Sequence, residues 1–317
     1  MNNKLVNLIF KYSQIVMLII IFVFLVITTP GFFTVDNISN VIMQQVPFLL
    51  IIAMGMTMAI LTKGIDLSIG SNLALTSCVA AFFLQSGNNF LGVLLAIVIG
   101  VTIGFFNGIL ITKVHLVPFI ATYTMNMVVR GMAYLFTGGL LFYGFDKKFR
   151  AIACRSIGGI SNLFIIAILI FVILLFILKK TTFGRNVYSI GFNKNATSLS
   201  GINTDRILIQ IYTMNGLLAA ITGLLYMARL NAAESTIGND FTIKMMAATL
   251  IGGTPFSGGR GGIERTIIGV FIMMFLTNGM NLNNVSSLWQ EAAFGFVIII
   301  SLLINKIGEK ITGTSTQ

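Results

Sequence analysis

The sequence predicts an all-α integral membrane protein of about ten transmembrane helices. Three observations predict it. Only 9% of the 317 residues are charged, and 56% are hydrophobic. Mean hydropathy is +0.95, whereas a soluble domain carries about 25% charged residues. Lys and Arg recur at the ends of apolar runs rather than in one patch, the pattern of the positive-inside rule. The formal charge of +11 therefore reads as membrane orientation, and no nucleic-acid partner is expected.

The apolar runs fall near 12–29, 41–62, 67–84, 90–112, 118–137, 162–178, 206–230, 241–253, 266–281 and 289–304. No small-residue cleavage site precedes "TTPGFF", so the first run is expected to remain as a span. The eighth run has thirteen residues and reaches only about 20 Å as a helix, against a hydrocarbon core of about 30 Å. It is expected to be tilted, extended by its neighbours, or a half-helix meeting irregular backbone inside the protein. With the N-terminus inside, thirteen Lys and Arg fall on inner segments and six on outer ones, with Arg130 inside a span. That bias places both termini in the cytoplasm. Trp289 then sits at the outer edge of the last span.

Two connections exceed turns. Residues 138–161 form the outer one. The inner one, 179–205, contains "NKNATSLSG", which suits a short helix with Asn193 as N-cap and Gly201 as its stop. A helix presented there is either a docking surface for a soluble partner or a plain solvated loop.

An internal repeat is suggested. Gly55, Asp66, Ser68, Ile69 and Gly70 match Gly223, Glu234, Thr236, Ile237 and Gly238 at a constant offset of 168, and Asn107-Gly108 matches Asn278-Gly279 at 171. Runs 41–137 and 206–304 would then be two copies of one four-helix unit. Five spans separate equivalent helices, so the copies would be inverted, a recurrent transporter design.

Polar residues inside the apolar runs are the candidates for function. In "KGIDLSIGS", residues 63–71, Asp66 and Ser68 can cap the third helix, and Gly64 and Gly70 allow a tight turn and close packing. Charge counting puts this stretch at an inner interface within reach of Lys63 and Asp66. Ser71 and Asn72 follow, and Asn72 lies too deep for a cap. Asp66, Ser68 and Asn72 are therefore candidates for a translocation path. So are Asn126 and Arg130, four residues apart on one helical face. Arg130 lies about 18 Å along its helix, where it either snorkels outward or faces the path.

Several chemistries are excluded. "GGTPFSGGRGG" at 252–262 lacks GK[ST] and is no Walker A loop. It reads as a flexible inner turn. Cys78 and Cys154 form no CxxC pair, and His115 is the single histidine, so neither a metal site nor an enzyme is expected. No cofactor is expected on this chain.

"GIDLSIGS" at 64–71, "FNGILI" at 106–111, "PFIATYTMNMVVRG" at 118–131, "GRNVYSIGFNKNATSLSGI" at 184–202, "IGGTPFSGGRGG" at 251–262 and "WQEAAFGFVII" at 289–299 occur in order. Together they resemble the membrane permease subunits of bacterial ABC sugar importers of the ribose, xylose and galactose type, over nearly the whole chain. The resemblance implies a type II importer fold in one permease domain, 1–317, in the inner membrane. It implies a second permease subunit, identical or paralogous, two cytoplasmic ATPase subunits that use the ATP, and an extracytoplasmic sugar-binding protein. Residues 179–205 would be the coupling loop, with Gly184, Arg185, Asn193, Ala196, Leu199, Ser200 and Gly201 on the matching motif. The family commonly has two alanines before "LSG", where this chain has Ala196-Thr197. A nucleoside or branched-chain amino acid permease is the related alternative. A secondary carrier would need more deep ionisable groups than Arg130. A non-transporting membrane anchor is the alternative of another class.

Overall fold

The structure is a computed structural model in which residues 12–312 are described. Lys4, Lys11 and the two chain ends, on which the expected placement of the termini rests, lie outside them. Helices occupy each apolar run. They are α1 (Ser13–Thr28), α2 (Val35–Leu61), α3 (Ile69–Gln85), α4 (Asn89–Thr112), α5 (Pro118–Thr137), α6 (Lys147–Cys154), α7 (Asn162–Lys180), α8 (Thr182–Phe192), α9 (Lys194–Leu199), α10 (Thr204–Leu230), α11 (Asn239–Ile251), α12 (Ile263–Leu282) and α13 (Ser287–Thr312). Among the described residues five helices, α2, α4, α7, α10 and α12, are long and apolar enough to cross a membrane.

The centre of the bundle is α2. Every residue from Val46 to Leu61 is buried, as expected for a helix that is apolar all round. A π-turn over Val41–Gln45 interrupts it, in which Val46 N–H reaches back to the Val41 carbonyl. Pro47 explains the irregularity, because it has no N–H to bond residue 43 and its ring crowds that turn. By contrast, α7 is apolar with only 22% of its span buried, and it presents Leu169, Val172, Ile173 and Phe176 outward.

Small residues allow a close contact between α4 and α10. Gly100 and Gly104 on α4 face Gly216 on α10, and a Cβ at Gly100 would lie 2.7 Å from the Gly216 carbonyl oxygen. Side chains at these positions would part the two backbones, which is the role of small-xxx-small spacing between apolar helices.

The packing follows a crossed pattern. The helix α10 packs on α3 and α4, while α2 packs on α11 and α12. If the suggested repeat units are taken as 41–137 and 206–304, the first helix of each lies against the second and third helices of the other. Within the units, α3 packs on α4 and α5, and α11 on α12 and α13. The starts of α3 and α11 meet at Gly70 and Gly238. From there α3 runs to one end of the bundle, where Gln85 donates to the Tyr143 carbonyl. The other end holds the loop that follows α11, where Gly259 N–H donates to the Leu61 carbonyl at 2.9 Å. The thirteen-residue α11 is the short helix that the eighth run implied.

The all-α expectation is corrected in one respect. The 138–161 connection is structured. Strand β1 (Phe142–Tyr143) pairs with β4 (Ala232–Ala233), and β2 (Ser156–Ile157) pairs with β3 (Ile160–Ser161) around Gly158 and Gly159. Both glycines have positive φ, which is what a two-residue hairpin turn needs. Between β1 and β2, α6 buries Phe149 and Ala153.

Candidate functional site

The "GIDLSIG" turn is enclosed by protein. Asp66 is 1% exposed, and its carboxylate is satisfied inside the protein. Its Oδ1 accepts from the Ser68 N–H at 3.1 Å and the Ser68 hydroxyl at 2.7 Å, and Oδ2 accepts from Asn215 Nδ2 on α10 at 3.1 Å. Asn107 Nδ2 on α4 donates to Ser68 Oγ at 2.7 Å. Three elements therefore close around one carboxylate, which corrects the expectation that Asp66 reaches the membrane surface. Lys63 is exposed, and its Nζ lies 3.5 Å from the Phe192 carbonyl. The helix-start role takes a modified form too. Ser68 is the N-cap residue of α3 without a side-chain cap, and Asp66 takes the Ser68 N–H instead.

Asn72 is also buried, with Nδ2 donating to the Gly100 carbonyl at 3.1 Å, and Ser71 Oγ donates to the Ser68 carbonyl. Four buried oxygens in this region have no hydrogen-bond partner: Asn72 Oδ1, Asn107 Oδ1, Asn215 Oδ1 and the Tyr212 hydroxyl. Such atoms are rare in cores, and each calls for an explanation such as strain, an ordered water or a functional role.

One face of α5 binds both repeat turns. Thr122 Oγ1 donates to the Ile65 carbonyl at 3.1 Å. Arg130 Nη1 donates to the carbonyls of Ser235 and Ile237, at 2.5 and 2.7 Å. Eight residues of helix, about 12 Å, separate Thr122 from Arg130. Asn126 stands between them, half-buried, with its Oδ1 unpartnered. Arg130 does not snorkel. It holds the loop that leads into α11.

Beyond that loop lies a cavity of about 790 Å³. The π-turn of α2 contributes Gln44 and α10 contributes Tyr226 and Arg229, while Glu234, Thr236 and Asp240 come from the loop and α11. Arg229 Nε donates to Gln44 Oε1 at 2.8 Å. The cavity sits at the C-terminal end of α10, 27 residues from the end that carries α8 and α9.

At that other end the 179–205 connection holds two helices. The Asn193 side chain caps α9, accepting from Ala196 N–H at 3.0 Å, and Gly201 follows it at φ 83°, as "NKNATSLSG" implied. The preceding α8 was missed, although Phe183, Val187, Ile190 and Gly191 repeat at helical spacing. It turns Val187, Ile190 and Gly191 inward. Gly184 is buried against the Leu178 backbone, and Arg185, Asn193, Ala196, Ser200 and Gly201 are exposed. Leu199 is 90% and Phe192 63% exposed. Tyr188 donates its hydroxyl to the Gly261 carbonyl at 3.0 Å. Burial, with Glu264 adding to it, pushes this hydroxyl up to about 12, so it stays protonated at neutral pH.

The glycine-rich 252–262 loop is braced rather than free. Gly259 bonds Leu61, Gly262 N–H donates to Thr254 Oγ1 at 3.2 Å, and Lys179 pairs with Glu264 at the following helix start at 2.5 Å. Its glycines at 253, 258, 259 and 261 have positive φ, so the sequence bias reflects backbone geometry.

A bundle of apolar helices with a buried polar turn at its centre, a polar cavity at one end and an exposed helix pair at the other fits a transport permease. The chain matches the family described as "Branched-chain amino acid transport system / permease component" over residues 37–302 and belongs to it. It is 37% identical over 300 residues to the ribose import permease protein of Escherichia coli, covering 93% of each chain. It is 40% identical over 299 residues to that of Bacillus subtilis, covering 93% of this chain and 92% of the relative. To the galactose/methyl galactoside import permease protein of Escherichia coli it is 30% identical over 312 residues, covering 92% and 93%. No solved structure matches. The chain is a multi-pass protein of the inner membrane.

Proposed function

We propose that this chain is the permease subunit of an ATP-driven importer for a ribose-like monosaccharide. The observation that carries the reading is identity to ribose import permeases across more than nine-tenths of both chains. In this reading ten helices cross or enter the membrane in two inverted units, and both termini are cytoplasmic. A second permease subunit, identical or paralogous, completes the path. An extracytoplasmic binding protein delivers the sugar at the end that carries the cavity. Two cytoplasmic ATPase subunits, which bind the ATP, dock at 179–205.

The chemistry supports a division of labour. Leu199 and Phe192 expose apolar area on a short, capped helix pair, and such area at a surface marks a protein contact. The α8 helix touches the end of α2 through Gly191 and the 252–262 loop through Tyr188. Movement at the ATPase contact therefore reaches α2 and α11 directly. Asp66, Ser68 and Asn72 form the closed section of the path, and Asn126 and Arg130 its wall on α5. Alternating access then consists of opening one section as the other closes.

The test is co-purification. Leu199→Asp and Gly201→Val are expected to remove the ATPase subunit while the permease still folds. Unchanged assembly and unchanged uptake would refute the docking role.

A further inference from the structure

We infer that the cavity at the C-terminal end of α10 is a binding subsite for one neutral monosaccharide within the permease itself. The inference rests on the importer reading and goes beyond it, because a path alone needs no site.

The argument begins with two copies of one motif that have taken opposite forms. In the first, the Ser68 hydroxyl donates to Asp66 at 2.7 Å, and in the second the Thr236 hydroxyl donates to Glu234 at the same 2.7 Å. Two residues further on, Gly70 and Gly238 touch. Around the first carboxylate the space is filled. Asn215 donates to it and Asn107 donates to Ser68, leaving Asp66 and Ser68 at 1% and 2% exposure. Around the second the space is open. Glu234 and Thr236 are exposed on the wall of the 790 Å³ cavity. Asn278, the sequence counterpart of Asn107, is turned away and exchanges two hydrogen bonds of 2.9 Å with Asn37. The hydroxyl–carboxylate pair is kept in the second copy, but the asparagine that closes the first is bonded elsewhere.

The lining selects the ligand. Arg229 and Lys244 offset Glu234 and Asp240, so the cavity has no excess of either sign and suits a neutral molecule. Carboxylates, an amide and a guanidinium offer both donors and acceptors to adjacent hydroxyls. Tyr226 and Phe48 meet edge to face with centroids 5.0 Å apart and add apolar surface for the C–H face of a ring. The volume lies in the range of about 300–1,000 Å³ typical of small-molecule sites. An aliphatic amino acid would leave most of these polar groups without partners, which binding sites penalise.

The test is ligand protection of a thiol on the cavity wall. The full chain is placed in nanodiscs with Cys154→Ser, which removes the exposed native thiol, and with Gln44→Cys. D-ribose, D-allose and D-galactose are the probes, with leucine, adenosine and ribose 5-phosphate as competitors of other chemistry. At least one of the three sugars slows maleimide labelling of Gln44→Cys, and none slows it at Asn88→Cys, a position outside the cavity lining. Adding Glu234→Gln raises the half-protecting sugar concentration about tenfold or more, the loss expected for a hydrogen bond to a charged group. No protection by any sugar, or equal protection by leucine, adenosine or the phosphate ester, overturns the subsite. ATPase co-purification and sugar uptake by the assembled importer are measured with the same preparation. Uptake without protection overturns the subsite and leaves the importer reading intact. Protection without ATPase-dependent uptake overturns the importer reading and supports the subsite.

Discussion

Gly70 and Gly238 lie against one another, so that a Cβ on either would come 2.5 Å from the other's carbonyl oxygen. These two glycines are also aligned in the repeat suggested by the sequence, and here they join the starts of α3 and α11.

The contact leads to the first prediction. Gly238→Ala adds both the clash and an unfavourable positive φ of 85°, whereas Gly70→Ala adds the clash alone. Overpacking of this kind costs about 1–3 kcal/mol. Gly238→Ala should lower the melting temperature of the purified protein more than Gly70→Ala. Gly131→Ala, in α5 with open space around it, should match or exceed the parent, since alanine favours a helix interior by about 0.5–1 kcal/mol. Equal melting temperatures for all three would deny the close contact.

Asp66 and Asn215 give the second. Asp66→Ala strands Asn215 Nδ2 and the Ser68 N–H, at about 1–3 kcal/mol for each buried donor. Asp66→Asn is milder. Asn215 can turn its unpartnered Oδ1 toward the new amide and accept from it. Asn215→Asp brings two carboxylates together and should be the most damaging of the three. Thermal denaturation in detergent ranks them. A ranking with Asp66→Asn as severe as Asp66→Ala would contradict the bonding described.

Arg130 gives the third. Removing the guanidinium in Arg130→Ala frees two carbonyls of the 234–238 loop, each bond being of the charge-assisted kind worth about 1.5–3 kcal/mol. Hydrogen exchange should rise at residues 234–242, at the start of α11, and stay unchanged in α7. A uniform rise across the chain would point to general destabilisation instead.

How far the sequence reached can be judged on these residues. Continuous apolar runs located the long helices because lipid-facing and buried surfaces are both apolar. Gly70 and Gly238 stood out in the sequence, and their close backbone contact gives the reason, since a side chain on either would clash. Asp66 was visible as an oddity but was placed at the surface, since charge counting sees only ends of runs. Its partners Asn215 and Asn107 come from distant helices, and no local signal links them to it. The cavity escaped for the same reason, because Gln44, Arg229 and Glu234 converge only through packing. The α8 helix carried a readable signal in Phe183, Val187 and Ile190, which recur at helical spacing.

Tyr188 gives the fourth. Tyr188→Phe removes the hydrogen bond to Gly261 at a cost of about 1 kcal/mol. If α8 passes movement to the 252–262 loop, ATP hydrolysis by the assembled importer should continue while sugar uptake per ATP falls. Uptake and hydrolysis falling in parallel would place Tyr188 in docking rather than transmission.

The central claim is that sugar import by this chain is driven by ATP through a partner docked on α8 and α9. Uptake of labelled ribose-type sugar into proteoliposomes tests it most directly, with the chain reconstituted alone and with the ATPase and binding protein. The account predicts uptake only with all components and internal or external ATP on the ATPase side, and none for Leu199→Asp. Uptake by the chain alone under a proton or sodium gradient would contradict it.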